Sequence, residues 1–447
     1  MMQVQDVTTP LATVVIDMDE PYVQEILRAA FTRFSPYIAV QTSEESSKVS
    51  DSNSSVQSQL VMHWREYERI DWDAVHRSSS VFSNAYCYRK GLIRKAQMAF
   101  NIKLHMAKNP DSVLHSGVPE TWVFELDDLD YLDEALMECY EVEDGMKANE
   151  GVEDPRLRQQ FIIKPSLTAR GAGIYVFDTR QRLEELLESE FDSDDDDDNN
   201  NGEDGEDVDD SYDDEQQGPA NGRHSYHAVS QIREWVIQRY INRPMLLSSH
   251  NGRKFHIRVY VLAVGDFKVY VYRHMLALFA PSPYISSAGN LDNQQAHLTN
   301  TCLQTKSSNF DESKAVDLFW NLDLPREKLG HIFDQICAIL RDTFTAVSTQ
   351  STSFQTWSNC LEQFGFDFLV DEDCNAFMLE ANAYPDFKQT GEGLKSVVEG
   401  FMAASVATAA SQFLLQTDAI TNDLQAMIDS DCKDLTEVYT HKNKRKW

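Results

Sequence analysis

Residues Phe364–Pro385 read "FGFDFLVDEDCNAFMLEANAYP". Phe366, Phe368 and Val370 alternate with Asp367 and Leu369, the period of a strand with two distinct faces. "DEDCN" supplies a turn, and the apolar run from Ala376 to Leu379 leads into Glu380. Folded as a hairpin, the stretch places Asp367 opposite the region of Glu380 and Asn382. Those two lie two residues apart and so share a face. Two carboxylates and an amide oxygen gathered this way suit a hard cation such as Mg2+, which takes oxygen ligands and shares them with phosphates. Taken alone, the hairpin equally admits edge-strand charges facing solvent.

The remainder of the chain narrows the choice. Its 447 residues leave room for two or three domains and a large core, and a hydrophobic fraction of 42% is ordinary for a globular protein. The formal net charge is −32, with fifteen of the acidic residues between Asp192 and Glu215. A chain this acidic argues against general nucleic-acid binding. Seven cysteines, an odd number without metal-ligand spacing, read as reduced thiols in an intracellular protein. "MMQVQDVTTPLATVV" shows no basic start before its short apolar stretch, so no signal peptide is expected there. The run Leu394 to Leu415 is interrupted by Ser, Thr, Glu and Lys and reads as a core helix rather than a membrane span. The expectation is a soluble cytoplasmic protein without membrane attachment.

Near the start, "ATVVIDMDEPYVQEILRAAF" reads as a strand over Thr13 to Ile16 and an amphipathic helix from about Pro21, a βα unit. Thr42 to Gln59 is Ser-rich and polar, a loop or disordered insertion. From Ser83 to Pro110 there are six basic residues (Arg89, Lys90, Arg94, Lys95, Lys103 and Lys108) and no acidic one, on a helical apolar period through Leu92, Ala96, Phe100 and Leu104. This is either a solvated helix face or a patch for an acidic partner, which the acidity of the rest of the chain favours. The segment 192–222 carries too little apolar surface to fold and reads as a disordered insertion. Strand-like runs span Trp235 to Phe279, and a helical block covers Ser313 to Val347.

Several of these segments carry phosphate-handling chemistry. "FIIKPSLTARGAGIYVF" sets Lys164 near a strand end, followed by a turn with Arg170, Gly171 and Gly173. Small residues let backbone N–H groups approach a phosphate while Lys164 and Arg170 neutralise it. No Walker A sequence is present, so this is no P-loop. "WVIQRYINRPMLL" is a strand ending at Gln238, Arg239, Tyr240 and Ile241. "GRKFHIRVYVLAVGDFKVYVYRHMLAL" puts Lys254, His256 and Arg258 on one strand face by alternation, and "AHLTNTCLQ" adds His297 and Asn300. Together with the carboxylate hairpin they resemble a polyphosphate site.

In this order the motifs resemble the tubulin–tyrosine ligase family of ATP-grasp enzymes, over almost the whole chain. The resemblance implies an α/β (α+β) ATP-grasp fold in three parts: an N-terminal α/β domain (1–82), a central domain (83–235, carrying the acidic insertion) and a C-terminal domain with the metal site (236–447). ATP is expected between the last two. Carried over by position, Lys164 and Arg170 resemble phosphate ligands, Gln238 to Ile241 the adenine hinge, and Lys254 a residue near the nucleotide. Arg258 resembles a substrate and phosphate ligand, which with Lys164 forms the implied catalytic pair. Asp367, Glu380 and Asn382 resemble the Mg2+ ligands, Asp367 also facing the nucleotide. Two positions depart from the family pattern: His256 stands where an acid is usual, and Leu278 where the ligase has an arginine. The implied activity is ATP-dependent joining of a free amino acid, tyrosine most simply, to the acidic tail of α-tubulin or another protein. The competing reading is a nucleotide-binding but weakly active or inactive scaffold among cytoplasmic mRNA-decay (processing-body) proteins.

Overall fold

The computed structural model describes residues 10–42, 60–154, 157–166, 173–197, 234–285, 291, 297, 299, 315–385, 387, 394–414 and 421–441. Arg170, Gly171, Asn300, residues 43–59 and residues 198–222 of the acidic insertion lie outside them. The chain divides into two compact units, one of residues 1–121, 169–171 and 241–447, the other of 122–168 and 172–240.

The first unit begins with β1 (Ala12–Asp17), α1 (Pro21–Thr32), β2 (Ile38–Thr42), β3 (Leu60–Arg65), α2 (Trp72–Arg77) and β4 (Val81–Ser83). The strands form a parallel sheet in the order β2-β1-β3-β4. β1 is buried on both faces up to Ile16, as the run "ATVVI" requires of a covered parallel strand. Pro21 opens α1 at a position where its missing N–H is no loss.

The basic stretch then folds as a short helical turn, Lys90–Ile93, and α3 (Lys95–Lys108). Arg94 between them is extended (φ −87°, ψ 123°), so the single helical period expected there is broken. Phe100, expected on the buried stripe, is 60% exposed. Residues 83–121, which the sequence reading joined to the central domain, belong to this first unit. The backbone at Gly117 abuts the side chain of Ile339, leaving no room for a Cβ, and Asp342 accepts hydrogen bonds from Ser112 Oγ (2.8 Å) and the Val113 N–H (3.2 Å).

The second unit comprises β5 (Thr121–Glu125), α4 (Leu132–Glu138), α5 (Tyr140–Glu150), β6 (Phe161–Pro165), β7 (Tyr175–Phe177), α6 (Arg180–Asp197) and β8 (Glu234–Arg239). Its sheet runs β5-β8-β6-β7, and Trp122, Phe124, Phe161, Phe177 and Trp235 fill the core beneath the helices. α6 continues to Asp197, into the segment expected to lack structure from Asp192. Extending a helix already nucleated over Leu183, Leu186 and Leu187 costs far less than starting one, so the helix outlasts its apolar face.

The first unit resumes with β9 (Arg253–Val264), β10 (Lys268–Tyr272), β11 (Leu276–Pro283), β12 (Val316–Leu318), α7 (Arg326–Ser348), β13 (Leu361–Val370), β14 (Ala376–Ala383), α8 (Lys395–Leu414), α9 (Asn422–Cys432) and β15 (Leu435–Thr440). One sheet follows the path β12-β11-β9-β10-β15, while β13 joins β9 to β14. β12 replaces the start of the block read as helical, because three residues carry no period. Alternation divides β9 between two cores: Ile257, Val259 and Val261 pack with α7, while Tyr260, Leu262 and Val264 pack with α8. On the second face the apolar run gives way, towards the strand start, to Arg258, His256 and Lys254. That change in chemistry marks the candidate site.

Candidate active site

β13 is the strand that gathers the site. Asp367 pairs with Arg258 of β9 on one side and Glu380 of β14 on the other, so three charged residues form one row across three strands. The next row holds Tyr260, Gly365 and Asn382. A bulge falls immediately beside Asp367: Asp367 pairs with Glu380 but Phe368 with Met378, leaving Leu379 as the extra residue. Such a bulge re-aims the neighbouring side chain. A Cβ on Gly365 would lie 2.9 Å from Pro385 Cβ and 3.3 Å from Arg258 Cδ, so the glycine is what lets the arginine and the proline approach the strand. The turn "DEDCN" is organised by Asp371, whose carboxylate accepts from the N–H groups of Asp373 (3.0 Å) and Asn375 (2.8 Å). Of the turn's acids Asp371 therefore serves its geometry, while the Glu372 carboxylate accepts from Arg243 at 2.6 Å.

Arg258 engages Asp367 at both oxygens, Nε to Oδ1 at 2.5 Å and Nη2 to Oδ2 at 3.1 Å. Burial by itself would raise the Asp367 pKa, but the guanidinium and His256 outweigh it and hold the carboxyl below its ordinary value. The same pairing, against burial, raises Arg258. His256 is lowered, burial outweighing the attraction of Asp367, so its ring is neutral at physiological pH. Its Nδ1 lies 2.6 Å from Thr299 Oγ1, and Nε2 3.6 Å from Asp367 Oδ1. Buried Lys254 donates to the carbonyl of His297 at 3.1 Å. Lys95, the first residue of α3, lies 3.9 Å from Glu380.

The expected metal ligands are thus brought onto one sheet face, Asp367 and Glu380 in one row and Asn382 in the next. Among the described residues no three His, Cys, Asp or Glu side chains form a metal cluster by themselves. The donors here are hard oxygens from two acids and an amide, the chemistry Mg2+ takes when phosphate oxygens and water complete its shell, and the residues fit that ion.

In the second unit Lys164 of β6 and Gln238 of β8 are diagonal neighbours, since Ile162 pairs with Gln238 and Lys164 with Val236. Lys164 Nζ donates to Gln238 Oε1 at 2.7 Å, both side chains being buried. Arg239 stacks over Phe161 (4.9 Å) and Trp122 (5.4 Å) and donates to Gln159. The Tyr240 N–H reaches the Gln160 carbonyl at 2.9 Å. Gly173, in the glycine turn, has φ +65°, a conformation that glycine adopts without strain.

Arg89 is not the surface cation expected from the basic stretch. It is buried in an ion pair with Glu362 of β13, beneath the ring of Tyr67 (3.9 Å), and Glu362 also accepts from the Tyr86 N–H at 3.1 Å. Lys90 remains exposed, and Arg94 is half-buried. Thr299 and Glu362 were missed by sequence reasoning. Thr299 stood inside the quoted "AHLTN" without a period to single it out, and nothing in the sequence linked Glu362 to Arg89.

The chain matches the family described as "Tubulin-tyrosine ligase family" over residues 92–419. It is 36% identical over 403 residues to the Saccharomyces cerevisiae protein named "Probable tubulin--tyrosine ligase PBY1", covering 88% of this chain and 51% of that one. The chain thus spans about half the length of that relative. A probable tubulin–tyrosine ligase of Schizosaccharomyces pombe is 37% identical over 352 residues, covering 78% of this chain and 82% of its own. Among solved structures, "Crystal structure of the C-terminal domain from K. lactis Pby1, an ATP-grasp enzyme interacting with the mRNA decapping enzyme Dcp2" matches with a TM-score of 0.65 and 28% identity. It covers 97% of this chain and 100% of that one.

Proposed function

Because the chain belongs to the tubulin–tyrosine ligase family and has its ATP-grasp fold, we propose that it is an ATP-dependent carboxylate–amine ligase. It adds an amino acid, tyrosine most simply, to an acidic protein C-terminus such as that of α-tubulin, in the cytoplasm. The observation that carries this reading is the row Arg258–Asp367–Glu380, a cation and two hard carboxylates aligned across three strands beside Asn382.

A carboxylate is a poor acyl donor. In the proposed reaction its oxygen attacks the γ-phosphorus of ATP, ADP leaves, and an acyl-phosphate results. The amine nitrogen then attacks the acyl carbon, the C–O bond to phosphate breaks, and the nitrogen loses a proton. Lys164, with Arg170, neutralises phosphate charge, while Gln238, Arg239, Tyr240 and Ile241 hold the adenine and Lys254 lies near the nucleotide. Arg258 binds the reacting anion. Asp367, Glu380 and Asn382 would hold Mg2+, which spreads the charge of the transferring phosphoryl group. Holding the reactants in line supplies much of the rate, on the order of several kcal/mol.

The test is incubation with ATP, Mg2+, an amino-acid mixture and detyrosinated α-tubulin, read by mass spectrometry. A mass gain of one amino acid at the acceptor's C-terminus is expected; ATP binding without any adduct would count against ligation. A second reading draws on the description of the Kluyveromyces relative as interacting with Dcp2. Under it, this chain is a nucleotide-binding scaffold among mRNA-decay proteins, and Mg·ATP binds without turnover.

A further inference from the structure

Asp367 has two nitrogen donors facing it from β9, and only one is engaged. Arg258 takes both oxygens, while His256 Nε2 stands 3.6 Å from Oδ1, beyond hydrogen-bond reach. The imidazole is 4% exposed, and its Nε2 has no hydrogen-bond partner among the described residues. Its Nδ1 is already committed to Thr299 Oγ1 at 2.6 Å. Two tautomers are open to the ring. With the proton on Nδ1, a bare nitrogen lone pair would face the carboxylate of Asp367. With the proton on Nε2, the Thr299 hydroxyl donates to Nδ1 and an N–H faces the carboxylate, which leaves no like-signed approach. The second arrangement is the one the geometry favours, and a shift of less than about 1 Å would complete the bond to Asp367.

That idle donor matters because Arg258 has two claims on it. The ligase reading, on which this inference rests, assigns it to a reacting anion, yet it is the partner that keeps the buried Asp367 paired. A buried carboxylate stripped of its cation is costly and free to reorient. We propose that His256 is a positioning residue that takes over Asp367 through Nε2–H when an anionic ligand draws Arg258 away. Asp367 thereby keeps its orientation towards Glu380 and Asn382. No change of protonation is involved, only the transfer of an acceptor from one donor to another.

The test uses the full chain labelled with 15N at histidine, a non-hydrolysable ATP analogue with Mg2+, and calorimetry on the same samples. Saturating Mg·analogue should move the Nε2–H resonance of His256, assigned by its loss in His256→Gln, downfield as the bond to Asp367 forms. His256→Leu, close to the ring in volume, should lose about tenfold in Mg2+-dependent affinity and keep its metal-free affinity. His256→Gln, whose amide N–H can replace Nε2–H, should stay within about threefold of the wild type. A merely structural histidine would give no such difference between the two variants. An unchanged Nε2–H signal in a sample that calorimetry shows to be saturated would overturn the proposal, as would a His256→Leu protein with wild-type Mg2+ dependence. Absence of any nucleotide binding would overturn the ligase reading and the proposal with it, and the calorimetric trace separates that failure from the others.

Discussion

Glu380 has Asp367 beside it on β13 and Lys95 at 3.9 Å, and it sits partly exposed at the edge of its strand pair. Glu380→Gln preserves volume and leaves no cavity, so stability should change by no more than about 1 kcal/mol. Loss of one anionic oxygen ligand should weaken Mg·ATP binding by about tenfold or more. Calorimetry against thermal unfolding separates the two; unchanged affinity in a folded variant would remove Glu380 from the metal set. Strand alternation made it legible that Glu380 and Asn382 share a face, but the pairing of Asp367 with Glu380 depends on the bulge at Leu379. Without that bulge Asp367 would face Leu379, and neither the turn nor the alternation announces the extra residue. Arg89 was not legible. In a run of six cations nothing marks the one whose acidic partner lies 273 residues away. Leu278 is buried directly opposite His256, so both departures from the family pattern fall on one cross-strand pair.

Among the elements, the Arg89–Glu362 pair ties the segment before α3 to β13, with Tyr67 and Tyr86 closing around it. Arg89→Met would leave a buried carboxylate without its cation, at a cost of about 3–5 kcal/mol, whereas Arg89→Met with Glu362→Leu should recover much of that loss. Denaturant unfolding of the single and double variants checks the difference; equal losses would show that packing, not charge, holds the segment. The N-terminal sheet carries its own pH signal. His63 on β3 is lowered from 6.5 to about 4, first by burial and then by Arg65, with Asp71 opposing. Because the folded pKa lies below the unfolded one, the native state binds fewer protons between those values. The contribution is therefore full above pH 6.5 and lost as the pH falls towards 4, at most about 3 kcal/mol. His63→Phe should flatten the stability profile across that window; an unaltered slope between pH 7 and 4.5 would show that the imidazole takes no part. The strand–helix order of this sheet was readable from "ATVVIDMDEP". β12 and β15 were not, since short strands acquire their identity from partners distant in sequence.

For the molecule as a whole, the charge distribution poses the main question. Under the proposed ligase reading, an acceptor with an acidic tail must approach a chain of net charge −32. Residues 198–222 contribute ten of the acidic side chains and no basic one. Replacing them with a short neutral linker should strengthen binding of an acidic tail peptide at low ionic strength, with the advantage fading towards 1 M salt as screening shortens to about 3 Å. Equal affinities of the two proteins in low salt would show that this segment exerts no long-range repulsion. Among the described residues no helix is long and apolar enough to cross a membrane, in keeping with the expectation for Leu394 to Leu415. The ATP-grasp fold was legible from the order of motifs, whereas the break at Arg94 and the placement of residues 83–121 depended on tertiary packing.

The measurement that tests the central claim most directly is hydroxylamine trapping of the activated acceptor. The full chain is incubated with ATP, Mg2+, hydroxylamine and an acidic tail peptide, without any amino acid. Ligation through an acyl-phosphate predicts one ADP released per C-terminal hydroxamate formed, both lost in Glu380→Gln. Tight Mg·ATP binding with neither ADP release nor hydroxamate, across a panel of acidic tails, would contradict the account and leave the nucleotide-binding scaffold in its place.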